Sequence, residues 1–253
     1  MKKMNRFLVS IALISMMSCT WWGNNDDDLT GPYKSMSAQQ LFLESEQALK
    51  KGEYTTAINQ LEALESMYPF SRYAEKAQMN LIYAYYQKED FASAAATSER
   101  FIHLYPRASH VDYAYYMKGL ANFQQVRGSF ATVLPLDESW RDPGTQAQSY
   151  NDFSLLIQRF PNSRYKANAL QRMIYLRNMF AQKQLNIAKF YFERKMYVAA
   201  IERANQLIKT YPQAPSAKEA LVIMYRANRA LGLEQAAQEA QTVYAATYHQ
   251  ALV

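Results

Sequence analysis

From residue 37 onward the apolar positions keep one pattern, and four prolines set its register: Pro69, Pro106, Pro161 and Pro212. Each is preceded by an aromatic residue, Tyr68, Tyr105, Phe160 and Tyr211. Five residues before each proline stand Leu64, Phe101, Leu156 and Leu207, and twelve before stand Ala57, Ala94, Ser149 and Ala200. Eight residues after each come Ala77, Ala114, Ala169 and Ala220. Recurrence of a small residue, a large apolar one, an aromatic and a proline at constant offsets is the mark of an internal repeat. Its physical content is a helical hairpin. The small residue lets two antiparallel helices approach, the large residue and the aromatic fill the seam, and proline stops the second helix.

Gly52-Glu53-Tyr54 and Lys88-Glu89-Asp90-Phe91 read as the tight turns of the first two hairpins. Leu41, Ser45, Ala48, Gly52, Tyr54, Ala57, Leu61 and Leu64 fall near the signature positions of the tetratricopeptide repeat, which this segment resembles. The intervals between the prolines are 37, 55 and 51 residues, against about 34 in a plain repeat of that kind. The first surplus is an excursion at 124–144, with Gly128, Pro135 and Pro143 among Phe130, Val133, Leu134 and Trp140. Its apolar content predicts a packed or partner-binding loop. The second surplus has no glycine or proline between Ser163 and Arg194. There Ala169, Met173, Leu176, Phe180, Ile187 and Tyr191 predict one helix of about 45 to 50 Å with a single apolar face. A fifth hairpin turns at Leu231-Gly232-Leu233. The expected fold is all-α: a right-handed superhelix of about five tetratricopeptide-like hairpins, with one long helix in the C-terminal half.

The first 36 residues follow a different rule. Lys2, Lys3 and Arg6 precede an apolar run from Phe7 to Met17, then Ser18 and the only cysteine of the chain, Cys19. A basic head, a short apolar stretch and a small residue before a cut point make an export signal, too short to span a bilayer. Ser15-Met16-Met17-Ser18-Cys19 resembles the cleavage box of bacterial lipoproteins, in which the cysteine becomes an acylated first residue. Three acyl chains suffice for stable anchoring, where one does not. Thr20 stands where inner-membrane lipoproteins of enteric bacteria carry aspartate, so the resemblance implies the outer membrane. Residues 20 to 34, with Asn24-Asn25-Asp26-Asp27-Asp28 and Gly31-Pro32, read as a polar, acidic tether that reaches about 50 Å when fully extended. The expected organisation is therefore a signal at 1–18 and an acylated tether at 19–36. Hairpins at 37–123 and 145–253 follow, on either side of the excursion at 124–144.

Charge changes the picture little. The net charge of +6 falls to +3 without the signal, and no basic block remains of the kind that tracks nucleic acid. A single cysteine forms no internal disulfide, and the seven glycines make no phosphate-cradling loop. His103, His110 and His249 lack the spacing and companions of a metal site, and acidic pairs such as Asp137-Glu138 fall in turns. No catalytic, cofactor or metal constellation is present, which points to a binder. Tyrosines stand on several faces of two successive first helices, in Ile82-Tyr83-Ala84-Tyr85-Tyr86 and Asp112-Tyr113-Ala114-Tyr115-Tyr116. First helices line the concave surface of such a solenoid. Arg72, Tyr73 and Lys76 beside them suit a peptide backbone or carboxylate.

The run Leu61-Glu62-Ala63-Leu64-Glu65-Ser66-Met67-Tyr68-Pro69-Phe70, with Leu81 to Tyr86, Arg141-Asp142-Pro143, Asp152-Phe153-Ser154 and Phe160 to Ser163, resembles the BamD family of outer membrane assembly lipoproteins over the whole mature chain. The resemblance implies a non-enzymatic subunit, on the periplasmic face of the outer membrane, of the machine that inserts β-barrel proteins. It implies as partners the insertase BamA, other lipoprotein subunits of the complex and unfolded barrel proteins. Carried over by position, Tyr68, Phe70, Tyr73, Tyr83 and Tyr86 belong to the substrate groove. Arg203 belongs to the insertase contact, together with Arg141 and Asp142, and Cys19 carries the lipid. A periplasmic lipoprotein adaptor of cell-wall synthesis or division, anchored in the same way, is the alternative reading.

Overall fold

The structure, a computed structural model, describes residues 31–125 and 144–251, and within them every regular element is helical. After a single 3-10 turn at Gly31–Tyr33 come α1 (Ala38–Lys51), α2 (Tyr54–Met67), α3 (Ala74–Gln87), α4 (Phe91–Leu104) and α5 (Val111–Gln125). Then follow α6 (Gly144–Arg159), α7 (Lys166–Glu193), α8 (Tyr197–Thr210), α9 (Ser216–Ala230) and α10 (Glu234–Tyr248). Consecutive helices pack as hairpins α1–α2, α3–α4, α5–α6, α7–α8 and α9–α10, and each hairpin stacks on the next. This is the tetratricopeptide-like, all-α arrangement that the spacing predicts.

The twelve positions at fixed offsets from the prolines explain why. Ala57, Ala94, Ser149, Ala200, Leu64, Phe101, Leu156, Leu207, Ala77, Ala114, Ala169 and Ala220 all have zero exposure. The aromatics before the prolines end each second helix in one way. The backbone N–H groups of Tyr68, Tyr105, Phe160 and Tyr211 each donate to the carbonyl four residues back, at 2.8 Å. Proline follows, with no N–H to continue the ladder. Helix starts have local causes too: Ser37 caps α1 in a reciprocal box with Gln40, and Asp90 caps α4 through Ser93 N at 3.1 Å. The turn glycines Gly52 and Gly232 take φ of 77° and 73°, the left-handed region that glycine enters without steric cost.

Three apolar cores run along the solenoid. The first gathers Leu41, Phe42, Leu61, Leu64 and Leu81 under α1, α2 and α3. The second gathers Ile82, Phe101, Val111, Phe153, Leu156 and Ala169 from α3 to the start of α7. The third, alanine-rich, holds Ala181, Leu185, Ala188, Ala200, Leu207 and Ala220 between α7, α8 and α9.

α7 therefore serves two cores, and here the structure corrects the sequence reading. The helix is one piece of 28 residues, about 42 Å long, because Ser163, Arg164 and Tyr165 belong to the preceding turn. It also lacks a single buried face. Ala169 and Leu176 enter the middle of the molecule, whereas Ala181, Leu185 and Ala188 enter the third core. At 100° per residue the second face is turned by about 140° from the first. Phe180, Ile187 and Tyr191, expected on the buried face, are only partly covered.

The end of the tether also differs from a free polar segment. Tyr33 and Met36 pack against the first core, and the Tyr68 hydroxyl donates to Met36 O at 2.8 Å. The signal, Cys19 and the body of the 124–144 excursion lie outside the described residues.

Candidate functional site

Two junctions between hairpins carry the same three residues at the same offset from proline: Ser71-Arg72-Tyr73 after Pro69 and Ser163-Arg164-Tyr165 after Pro161. Their geometry repeats as well. Arg72 Nη2 donates to the Tyr73 hydroxyl at 2.6 Å and its guanidinium lies 4.9 Å from the ring centroid. Arg164 Nη2 donates to the Tyr165 hydroxyl at 2.5 Å, with its guanidinium 4.8 Å from that ring. Each tyrosine is fixed from behind, Tyr73 by stacking on Phe42 at 5.1 Å and Tyr165 by stacking on Tyr116 at 4.5 Å. The two guanidiniums are thus preoriented on aromatic plates, and neither has a carboxylate partner among the described residues.

Between them lies a cleft of about 670 Å³, lined by Arg72, Glu75, Lys76, Met79, Asn80, Tyr83, His110, Tyr113 and Arg164. These come from α3 and the turn before it, from α5 and its lead-in, and from the turn before α7, which together form the first-helix side of the solenoid. Tyr83 meets Tyr54 edge to face at 6.4 Å. Burial pushes the hydroxyls of Tyr83 and Tyr113 above the ordinary tyrosine range, so both stay neutral donors. Lys76 is held by Glu46 at 3.2 Å. Asn80 Nδ2 is buried without a hydrogen-bond partner. Such an arrangement offers apolar and aromatic contact, a free amide donor and two fixed cations. It can hold a short extended peptide; it contains no nucleophile and base in reach of each other, and no group of His, Cys, Asp and Glu suited to a metal occurs among the described residues.

The four tyrosines and one phenylalanine expected in a substrate groove do not converge. Tyr83 lines the cleft. Tyr73 supports it by positioning Arg72. Tyr68 points away, bonded to Met36 O in the first core. Tyr86 packs edge to face on Phe91 at 5.4 Å and against the second core. Phe70, 100% exposed, stands at the mouth of a different cleft on the opposite face of α3. Arg203, on α8, is partly exposed and reaches Gln206 Oε1 at 3.5 Å. Arg141 and Asp142 lie outside the described residues. Residues that the sequence reading left out are Asn80, His110 and Arg164. For Arg164 the signal was available, since Ser-Arg-Tyr recurs in register after two of the four prolines.

A family profile described as an outer membrane lipoprotein, YfiO, matches residues 34–243, which spans both described segments and nearly all the hairpins. The chain belongs to the BamD family. It is 42% identical over 197 residues to the outer membrane protein assembly factor BamD of Vibrio cholerae, covering 78% of this chain and 82% of the relative. The Neisseria meningitidis BamD is 33% identical over 241 residues, covering 95% and 90%, and the Xylella fastidiosa BamD 36% over 208 residues, covering 82% and 71%. BamD family membership fits a chain in which no described helix is long and apolar enough to cross a membrane.

Proposed function

We propose that this chain is a scaffold subunit of a β-barrel assembly complex, anchored through an acylated Cys19 in the outer membrane and facing the periplasm. Hairpins of residues 37–123 receive segments of unfolded outer membrane proteins. Hairpins of residues 145–253 bind a BamA-type insertase through Arg203, with Arg141 and Asp142 of the 124–144 insertion adding to that contact and other lipoprotein subunits joining the complex. The observation that carries this reading is the cleft between Arg72 and Arg164, whose aromatic floor and unpartnered Asn80 amide suit an unpaired peptide backbone with aromatic side chains. Shallow contacts of this kind hold a chain weakly enough to pass it on. No chemical step is required of the subunit.

The test is site-specific photo-crosslinking in intact cells, with the reactive residue at Tyr83 in the cleft, at Arg203 on α8 and, as a control, at Thr242 on α10. Unfolded barrel proteins captured at 83 and the insertase captured at 203, with neither at 242, support the assignment. Equal capture of barrel proteins at all three positions, or their absence at 83, overturns the cleft as the receiving site.

A further inference from the structure

The cleft that Phe70 borders is a separate feature, of about 790 Å³, between the second helices of the first two hairpins and the face of α3 turned away from Tyr83. Its interior is acidic where the concave groove is basic. Glu62 and Glu65 project from α2; Glu65 Oε2 pairs with Arg100 at 2.7 Å, while Glu62 accepts from the Tyr85 hydroxyl and has no cation beside it among the described residues. Two carboxylates against one guanidinium leave one negative charge.

The second observation is independent of charge. Gln78, 6% exposed and lining the same cleft, has its Oε1 buried without a hydrogen-bond partner, and so does the Oε1 of Glu65. Both atoms are acceptors, and a buried acceptor without a donor is costly until an N–H reaches it. Burial also holds the Glu65 carboxyl above its ordinary range, in spite of Arg100 and the Gln78 amide, with the neighbouring Glu62 adding to the shift. The mouth supplies the remaining chemistry: Leu104 is 58% exposed and faces the same opening as the fully exposed Phe70.

We propose that this cleft is a docking site for a segment of a partner protein in which an arginine or lysine stands next to an apolar residue. The cationic head donates to Glu65 Oε1 and Gln78 Oε1 near Glu62, and the apolar neighbour seats between Phe70 and Leu104. An arginine fits best, because its several N–H groups serve both acceptors at once. The site does not depend on what the concave groove binds. With a basic groove on one face of α3 and an acidic cleft on the other, the two faces select segments of opposite charge.

The test uses the full mature chain in detergent, methyl-labelled for NMR, titrated with acetyl-leucyl-arginine amide and, in parallel, acetyl-leucyl-glutamate amide. The expected result is a saturable shift of the Leu104 and Ala74 methyls with the arginine peptide alone, with Leu207 unmoved. Glu65→Gln weakens that binding at least fivefold and Gln78→Met, which leaves the Arg100 pair intact, at least threefold. Unmoved Leu104 and Ala74 methyls overturn the proposal, as do equal shifts with both peptides or wild-type affinity in Gln78→Met with its Leu207 signal unchanged.

Discussion

Gly119 lies flat against the ring of Phe153: a methyl group at position 119 would sit 2.6 Å from the Phe153 Cε1. The contact brings α5 and α6 close enough for the buried Ser149 hydroxyl to donate to Gly119 O at 2.8 Å. A Gly119→Ala chain must therefore separate the two helices or turn a fully buried ring. The expected loss is about 1 to 3 kcal/mol, read as a lower urea midpoint. Phe153→Leu in the same chain restores part of it, so the two changes are non-additive.

Two hairpin turns place a side chain where the turns at Gly52 and Gly232 place glycine. Glu89 and Lys195 have φ of 64° and 59°, a region that costs side-chain-bearing residues roughly 1–2 kcal/mol. Glycine there removes the steric cost and adds unfolded-state entropy. Lys195→Gly and Glu89→Gly are each expected to stabilise by about 0.5 to 1 kcal/mol, seen as a higher thermal midpoint with unchanged helix content.

The middle of the solenoid holds a buried carboxylate. Asp152, 1% exposed, accepts from Asn122 Nδ2 at 2.6 Å and Gln148 Nε2 at 3.0 Å, and pairs with Lys118 at 3.1 Å. It ties α5 to α6, and Lys118 extends the network to Glu99 on α4. Asp152→Ala leaves the buried Asn122 amide without its acceptor and Lys118 with Glu99 alone, and should cost about 1 to 3 kcal/mol, measured by denaturant unfolding.

Acid sensitivity has its own marker in this network. The Lys118 hydrogen bond holds the Glu99 carboxyl below its ordinary range, against the opposing effect of burial. The stabilisation it brings is complete above the unfolded-state pKa and disappears as pH falls through the lower folded value. Lys118 is shifted upward by Glu99 and Asp152, which outweigh its burial, so its share is lost only in alkali, as pH rises through its folded pKa. Glu99→Gln should flatten the acid limb of a stability-against-pH curve and, by removing one of the two carboxylates that raise Lys118, also make the loss in alkali shallower.

α7 joins two cores through faces turned by about 140°. One alanine inserted after Asn178 rotates the second face by a further 100° and should separate the unfolding of the two halves into distinct transitions. Seven inserted residues change the phase by only about 20° and should preserve a single transition. Unfolding followed at Trp reporters placed in each half distinguishes the cases.

The fold was legible because its determinants are local and periodic. Position 64, 101, 156 or 207 needs only a proline five residues on to be recognised as core, and Gly52 and Gly232 announce their turns. The rotated face of α7 was not, since alanines at 181 and 188 carry no signal of burial until a partner helix is placed on them. The site was read less well for a related reason. Tyrosine serves equally as seam filler and as groove wall, and only the rotation of α3 decides that Tyr83 faces the cleft while Tyr86 meets Phe91 and Phe70 looks out on the other side. Asn80 and His110 are ordinary residues in sequence; their shared cleft exists only once α3 and α5 lie side by side.

The repetition of Ser-Arg-Tyr sets a capacity. The two guanidinium plates stand at the starts of α3 and α7 with α5 between them, so they are two helix spacings apart, about 16 to 20 Å. An extended strand covers that distance in about five or six residues. The plates thus set a fixed span, and a chain longer than that span would have to leave the cleft at both rims.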